Sequence, residues 1–483
     1  MYIGIDLGST NIKAALYDEN MTLVDRQSRP VQYIRENGFV EFDAEVYCRE
    51  LTQLLGQMAA NNRVTHIREI ALTGQAESLV VIGKDGKPLM NAISWMDERS
   101  VEECKILADR FDAKTCEAVT GQMAVLPTWP ATKILWLKKH RPEVYENAAT
   151  YLLLKDYVVY YLTGQKLADM SIATFSFYFD IYKKAYWKDM LEAIGVSESQ
   201  LPTLCEPCTV AGCLTQEVAE QMGLSTETKV NVGTLDHFAG MVGTGNISKG
   251  GITLSTGTVM ALATMSSAEE GRNTGIAMHY GFIPDTYVML PVVESGGVSL
   301  EWFKRSCMAV DYDTMNAELA KREPNELLFL PYLVGTSAPE FDAQANGVFW
   351  GLRQEHDAID MAGSVMEGVS FVLRKNCEHI AKNGVALTSI IATGGGAKSP
   401  IWCQMQADIT GLPVSIPKEK EAACLGAALI AAVSDGRFES YADAVHTCVE
   451  LTYSYAPHPS DRLERKYRRF CALYKAALEI SNI

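Results

Sequence analysis

Three strand-like apolar segments, far apart in the chain, each run straight into a turn built from glycine or small hydroxyl residues. At the start, Tyr2-Ile3-Gly4-Ile5-Asp6 leads into Leu7-Gly8-Ser9-Thr10-Asn11; downstream, Gly251–Ser255 leads into Thr256-Gly257-Thr258, and Ser389–Thr393 into Gly394-Gly395-Gly396. A carboxylate at the end of an apolar strand, followed by a tight glycine turn, can hold a divalent cation on one side. The amides and hydroxyls of the turn can then face phosphate oxygens. A plain β-hairpin shows the same local pattern. The hydroxyls around Gly257 can clamp phosphate or close an ordinary hairpin, and the triple glycine can admit a flat ring or simply open a helix. Each segment alone leaves both readings open; the three in this order point to a nucleotide site.

Around these turns, strand signals at Tyr2–Asp6, Ile12–Tyr17 and Leu23–Arg29 precede a helix beginning at Asp43 and running to about Ala60. Strands follow at Ile67–Thr73 and Leu79–Ile82. Helices are expected within 98–224, including Thr132–His140 and Leu152–Leu162, and later at Ser399–Thr410 and Asp461–Ile480. Such alternation indicates the α/β class. A chain of 483 residues has room for two or three domains at ~150 residues each. The glycines Gly243, Gly245, Gly250 and Gly251 mark a boundary, giving a first domain of 1–246 and a second of 247–483.

Composition removes whole classes of function. With 43 Lys+Arg against 59 Asp+Glu the net charge is −16, which argues against nucleic acid as a partner. The basic side of the last helix (Arg462, Arg465, Lys466, Arg468, Arg469) reads as the solvated face of a helix docked through Leu463, Tyr467, Phe470 and Tyr474. The longest apolar run, Ala422–Val433, has 12 residues against the ~20 a membrane span needs, so no membrane partner is expected. The opening residues lack the charged start and apolar core of a signal peptide, so a cytoplasmic location is expected. Twelve scattered cysteines suit a reducing compartment. Among them, Cys205, Cys208 and Cys213 lack the second pair of a zinc site and read as part of a loop. His279, His356 and His379 have no ligand-like partners and read as core or surface residues. No P-loop, His-Glu-x-x-His, Gly-x-Ser-x-Gly or dinucleotide-binding glycine motif after a first strand is present, and the P-loop NTPase, zincin and α/β-hydrolase readings fall away.

Further runs sharpen the nucleotide reading. They are Thr73-Gly74-Gln75, Ser94-Trp95-Met96-Asp97-Glu98-Arg99, Lys133-Ile134-Leu135-Trp136-Leu137, Gly233-Thr234-Leu235-Asp236 and Phe329-Leu330-Pro331-Tyr332-Leu333-Val334-Gly335. Most specific is Gly347-Val348-Phe349-Trp350-Gly351-Leu352, followed by Asp360, Ser364 and Glu367. With the opening strand and Gly394–Ala397, the chain resembles the FGGY family of carbohydrate kinases over essentially its whole length, and looks closest to the xylulokinase-like members. The resemblance implies an α/β fold of two ribonuclease-H-like domains, of the actin, hexokinase and sugar-kinase superfamily, with an interdomain cleft. It implies ATP and Mg²⁺, a small sugar or polyol as substrate, and a homodimer as a common assembly. It makes Asp236 the catalytic base and gives Asp6, with Asp236, to the metal. Gly8, Ser9, Thr10 and Asn11, together with Thr256, Gly257 and Thr258, match the two phosphate loops. Gly395, Gly396 and Ala397 match the adenosine turn, and Gln75, Ala76, Glu77, Asp236 and His237 match the sugar site. The chemistry agrees: phosphoryl transfer needs alignment, charge neutralisation and an acceptor for the hydroxyl proton, with water kept out.

The sequence departs from the xylulokinase pattern at two sugar-facing positions. Gln75-Ala76-Glu77 stands where Gln-Met-His is usual, and Asp236-His237 where Asp-Asn is usual. A carboxylate and an imidazole offer different hydrogen-bond partners from the groups they replace, so Glu77 and His237 are expected to face each other across the sugar. A ketopentose is the first expectation; glycerol, erythritol, fuculose or gluconate is the alternative acceptor. A different class, a nucleotide-driven switch of the actin or chaperone type, would lack the sugar-facing Asp236 and the FGGY runs. Trp95, Asp97 and Arg99 either border the pocket or start a helix.

Overall fold

The computed structural model describes residues 1–481. The chain divides into two compact units. The first comprises Met1–Ile247, Ser267–Val288 and Glu421–Val449, and the second Ser248–Ser266, Met289–Lys420 and Glu450–Ile483. A single cut after 246 describes the linear order; in space two later segments join the first unit.

The first unit is built on a sheet of β1 (Tyr2–Leu7), β2 (Asn11–Tyr17), β3 (Leu23–Pro30), β4 (Glu69–Gly74), β5 (Val210–Cys213) and β6 (Lys229–Leu235), in the order β5-β6-β4-β1-β2-β3. The β1–β2 pair is an antiparallel hairpin, whereas β1, β4 and β6 run parallel, so their carboxyl ends lie along one edge. In open α/β sheets that edge is where ligands bind. Helix α1 (Ala44–Asn62) opens as the sequence predicts, with the Asp43 carboxylate accepting from the Glu45 and Val46 amides at 2.9 Å. It packs Leu51, Leu54, Leu55 and Met58 into the core beneath β1 and β4. The expected helix Leu152–Leu162 is shifted: Thr150–Leu153 is a strand paired with Leu79–Ile82, and only then does helix α2 (Leu154–Thr163) begin. A run of Thr, Tyr and Leu fits a buried strand as well as a helix, and the exposed edge of Leu79–Ile82 decides between them. Helix α3 (Asp236–Thr244) follows β6 without a loop.

The apolar run noted above is a helix of this first unit, Ala422–Ser434, buried on nearly every side. It meets α3 backbone to backbone: a Cβ on Gly426 would lie 1.7 Å from the Ala239 carbonyl, and one on Gly243 1.9 Å from that of Ala422. It also covers β1, where a Cβ on Gly4 would lie 1.9 Å from the Cys424 carbonyl. Its length is spent on internal packing, and no helix among the described residues is long and apolar enough to cross a membrane.

In the second unit, β7 (Gly251–Thr256) and β8 (Met260–Ser266) form a hairpin. Helix α4 (Gly297–Cys307) caps its turn, helix α5 (Ala358–Lys382) packs beneath, and β9 (Ser389–Gly394), β10 (Val414–Pro417) and β11 (Leu451–Tyr455) extend the sheet in the run β8-β7-β9-β10-β11. The β7–β9 and β9–β10 pairs are parallel. The last helix, α6 (Asp461–Ser481), docks on Leu463, Tyr467 and Phe470 as expected. Its basic side is not wholly solvated, however. Lys466 is buried against the Glu367 carboxylate, and Arg462 reaches the same group at 3.2 Å. An acid buried on α5 needs cations beside it.

Candidate active site

In the first unit the register of three parallel strands gathers the sequence-predicted acids and their neighbours. Asp6 pairs with Thr73 across β1 and β4; Thr73 pairs with Thr234 and Gly74 with Leu235 across β4 and β6. Gln75, Ala76 and Glu77 therefore leave β4 beside Asp236 and His237, which open α3. Asp6 sits two strands away on the same edge. Its Oδ1 is buried and accepts no hydrogen bond. Burial, and then the negative charge of Asp236, push the Asp6 carboxyl up to about 7, with Lys13 pulling the other way. Lys13 itself is tied to Glu421 at 2.6 Å.

The turn after β1 has room only for glycine at position 8, since a Cβ there would lie 2.7 Å from the Asn11 carbonyl. The Gly8 carbonyl accepts from Tyr47 Oη at 3.3 Å and Gln75 Nε2 at 3.4 Å, and that of Thr10 from the Val31 amide at 2.9 Å. The Gly8–Asn11 turn is thus held by its Gly8 and Thr10 carbonyls. Gln75 is fixed in turn by Ser78, whose hydroxyl donates to Oε1 at 2.9 Å.

Glu77 sits at φ +65°, in the left-handed region that a side chain rarely adopts and that tends to mark functional turns. Its carbonyl accepts from Lys133 Nζ at 3.1 Å, and the same ammonium donates to the Ser94 carbonyl at 2.8 Å. Burial lifts the Glu77 carboxyl while the Lys133 charge and a hydrogen bond with Thr128 pull it back; burial holds Lys133 below its usual range. Its interacting partners are thus Lys133 and Thr128. Lys133 had no site signal beyond lying in one of the family-like runs, because a lysine on a helix normally reads as surface.

Two more residues complete this neighbourhood. His279, read from sequence as a core or surface residue, is fully buried. It stacks on Phe175 at 4.3 Å between ring centres and meets the edge of Phe238 at 6.2 Å. Burial first, and His237 second, drive its pKa down to about 3, so it is neutral. Arg99 has a structural place: it grips Asp97 through two bonds of 2.7 and 2.8 Å and Glu41 at 2.8 Å, over the rings of Phe39 and Trp136.

In the second unit the register joins two motifs that lie far apart in sequence. Thr256 pairs with Gly394 across β7 and β9, so the Thr256-Gly257-Thr258 turn and the Gly395-Gly396-Ala397 turn are neighbours. A Cβ on Gly396 would lie 2.8 Å from that of Thr256, and one on Gly394, at φ +77°, 2.7 Å from its carbonyl. Helix α4 closes the first turn from behind: the Gly297 and Val298 amides donate to the Gly257 and Thr258 carbonyls at 2.8 and 3.0 Å. Sequence reading gave no place to this Gly296-Gly297 helix start, although its paired glycines after a strand were a usable signal.

Family profiles agree with these two halves. The N-terminal domain of the FGGY family of carbohydrate kinases matches residues 1–243, and its C-terminal domain matches 252–434. The chain belongs to the FGGY family of carbohydrate kinases. It is 29% identical over 480 residues to a xylulose kinase of Bacillus subtilis, covering 98% of this chain and 95% of the other. The structure of a ligand-bound xylulose kinase from Lactobacillus acidophilus superposes with a TM-score of 0.89 at 26% identity, covering 100% of this chain and 97% of that one. A gluconate kinase structure from the same organism gives the same TM-score, identity and coverage. The two-unit α/β architecture is thus that of an FGGY sugar kinase, and the chain is a carbohydrate kinase.

Proposed function

We propose that this kinase transfers the γ-phosphoryl group of ATP to a hydroxyl of a ketopentose, xylulose being the first choice, with Asp236 as general base. The observation that carries the reading is the pair of carboxylates on one sheet edge: Asp6 with a buried, unpartnered oxygen, and Asp236 close enough to press on its charge. Asp236 stands in the first turn of α3, where a negative charge is well placed. As the sugar oxygen bonds to the γ-phosphorus and the bond to the bridging oxygen of ADP breaks, the hydroxyl proton passes to the Asp236 carboxylate. Gly8–Asn11 would bind phosphate in the first unit and Thr256–Thr258 in the second, and Gly395–Ala397 would lie against adenosine.

Magnesium fits these residues. The unsatisfied Asp6 Oδ1 and the repulsion from Asp236 both favour a cation there. No group of three His, Cys, Asp or Glu side chains is gathered among the described residues, and Mg²⁺ is ordinarily held by one or two carboxylates plus phosphate and water rather than by an all-protein cage. When bound it supplies charge neutralisation on the phosphate oxygens.

Glu77 and His237 favour a second acceptor class, a polyol or a sugar acid, because both groups differ from those usual beside a ketopentose. The test is ADP release against xylulose, ribulose, fuculose, glycerol, erythritol and gluconate. A rise with one acceptor that Asp236→Asn lowers on the order of 10²- to 10⁴-fold supports the reading. Acceptor-independent turnover of equal size in both proteins overturns it in favour of a nucleotide-driven switch.

A further inference from the structure

Strand β6 does not run regularly into Asp236. Asn231 pairs with Ala71 and Thr234 with Thr73, so β6 advances three residues while β4 advances two, and one residue bulges out. Gly233 makes this possible. It sits at φ +63°, and a Cβ there would lie 1.6 Å from the Leu72 carbonyl. A bulge leaves backbone groups outside the ladder, and each of these is met. Lys155 Nζ donates to the Val232 carbonyl at 2.6 Å. The Gly233 amide donates to Asn231 Oδ1, and the Gly233 carbonyl accepts from the Cys208 amide, both at 2.8 Å. The Cys208 loop is therefore part of this clamp, while burial pushes its thiol and that of Cys205 up to about 12.

From the bulge a buried chain runs on to the strand end. Lys155 is ion-paired with Asp169 at 2.5 Å, with both side chains excluded from solvent. Asp169 accepts from the Ser171 hydroxyl. Ser171 Oγ in turn accepts from the Leu235 amide at 3.2 Å and meets Thr234 Oγ1 at 2.8 Å. Its one proton and two lone pairs are all used. On the other side, Thr73 Oγ1 donates to the Thr234 carbonyl at 2.8 Å. The residue whose amide this chain holds is the one immediately before Asp236. A buried ion pair is a weak source of stability, because desolvation offsets its attraction. Bulges beside active sites commonly re-aim a side chain.

We propose that the β6 bulge and the buried Lys155–Asp169–Ser171 chain are a positioning device for Asp236: they fix the strand end so that the carboxylate meets the sugar hydroxyl in line with the phosphoryl group. This rests on Asp236 acting as the base. Ser171→Ala removes the last link with a small change of volume, and Thr234→Val removes the neighbouring hydroxyl at nearly constant shape. Each is assayed by ADP release with ATP and the best acceptor of the panel above, beside thermal melting. Both variants should melt close to the parent and keep its KM for ATP, while kcat falls on the order of 10- to 100-fold, the usual cost of a misplaced reacting group. In an Asp236→Asn background the same substitutions should cost nothing further, since they act through that carboxylate. Parental kcat in both variants, or an undiminished loss in the Asp236→Asn background, overturns the positioning role alone. Parental turnover in Asp236→Asn itself overturns the assignment of the base, and this inference with it.

Discussion

The two units lay down the same ladder and set different chemistry on it. In each, the first strand of a hairpin runs parallel to a third strand ending in Thr-Gly. Asp6 and Leu7 stand opposite Thr73 and Gly74, and Ser255 and Thr256 opposite Thr393 and Gly394. At matching stations the first unit has a carboxylate where the second has a hydroxyl. Beyond the shared Thr-Gly, the first continues Gln75-Ala76-Glu77 and the second Gly395-Gly396-Ala397. One copy of the scaffold collects ionisable groups; the other exposes bare backbone. Register fixes where a residue stands, and the residue decides whether it supplies charge or space.

The sharpest way to break this contrast is at Asp6. Asp6→Ala should lower kcat on the order of 10²- to 10³-fold in the ADP-release assay, as loss of a preorganised electrostatic partner does. Adding Ser255→Asp should not restore it if the charge belongs to the first unit alone. In the second unit the expected effect is on binding. Gly396→Val drives a side chain into Thr256 and should raise KM for ATP about tenfold, some ~1.4 kcal/mol, with kcat kept. A collapse of kcat instead would mean that the glycine turn does more than make room. Glu77→Gln and His237→Asn, singly and together, should shift the ratio of kcat/KM between ketose and polyol severalfold; an unchanged ratio removes both from the specificity site.

The smallest effect is on stability. The Asp6 carboxyl moves from 3.8 to about 7 on folding, so the folded chain holds that proton more tightly. Its stabilising contribution is complete below the unfolded value and is lost as pH rises through the folded one. Asp6→Asn is uncharged throughout. Its melting temperature should pull ahead of the parent's by a few degrees as pH rises from 3.8 to about 7, then keep a constant lead. A gap that stays flat over that range would mean that Asp6 is not held as an uncomfortable charge.

Much of this was legible in the residues. The hairpin turn at Gly8–Asn11, the Asp43 cap and the strand running into Gly394 all follow from local patterns, and the family-like runs named the chemistry. What escaped was non-local. Nothing in Val232-Gly233-Thr234 announces that a neighbouring strand will be one residue shorter. A lysine in the second position of a helix, as Lys155 is, reads as solvent-facing until its buried carboxylate and carbonyl partners are seen. Leu152 and Leu153 went to a strand because Leu79–Ile82 needed a partner, and the buried side of Lys466 appears only once Glu367 is opposite it.

The helix Ala422–Ser434 has a consequence for how the chain comes into being. It roofs β1 and grips α3, yet some four hundred residues separate it from β1 along the chain. On the ribosome, where domains ordinarily mature from the N-terminus onward, strand β1 must wait for its cover until residues 422–434 have been made. A gene cut near codon 246 would therefore yield a half whose apolar surface has no lid of its own.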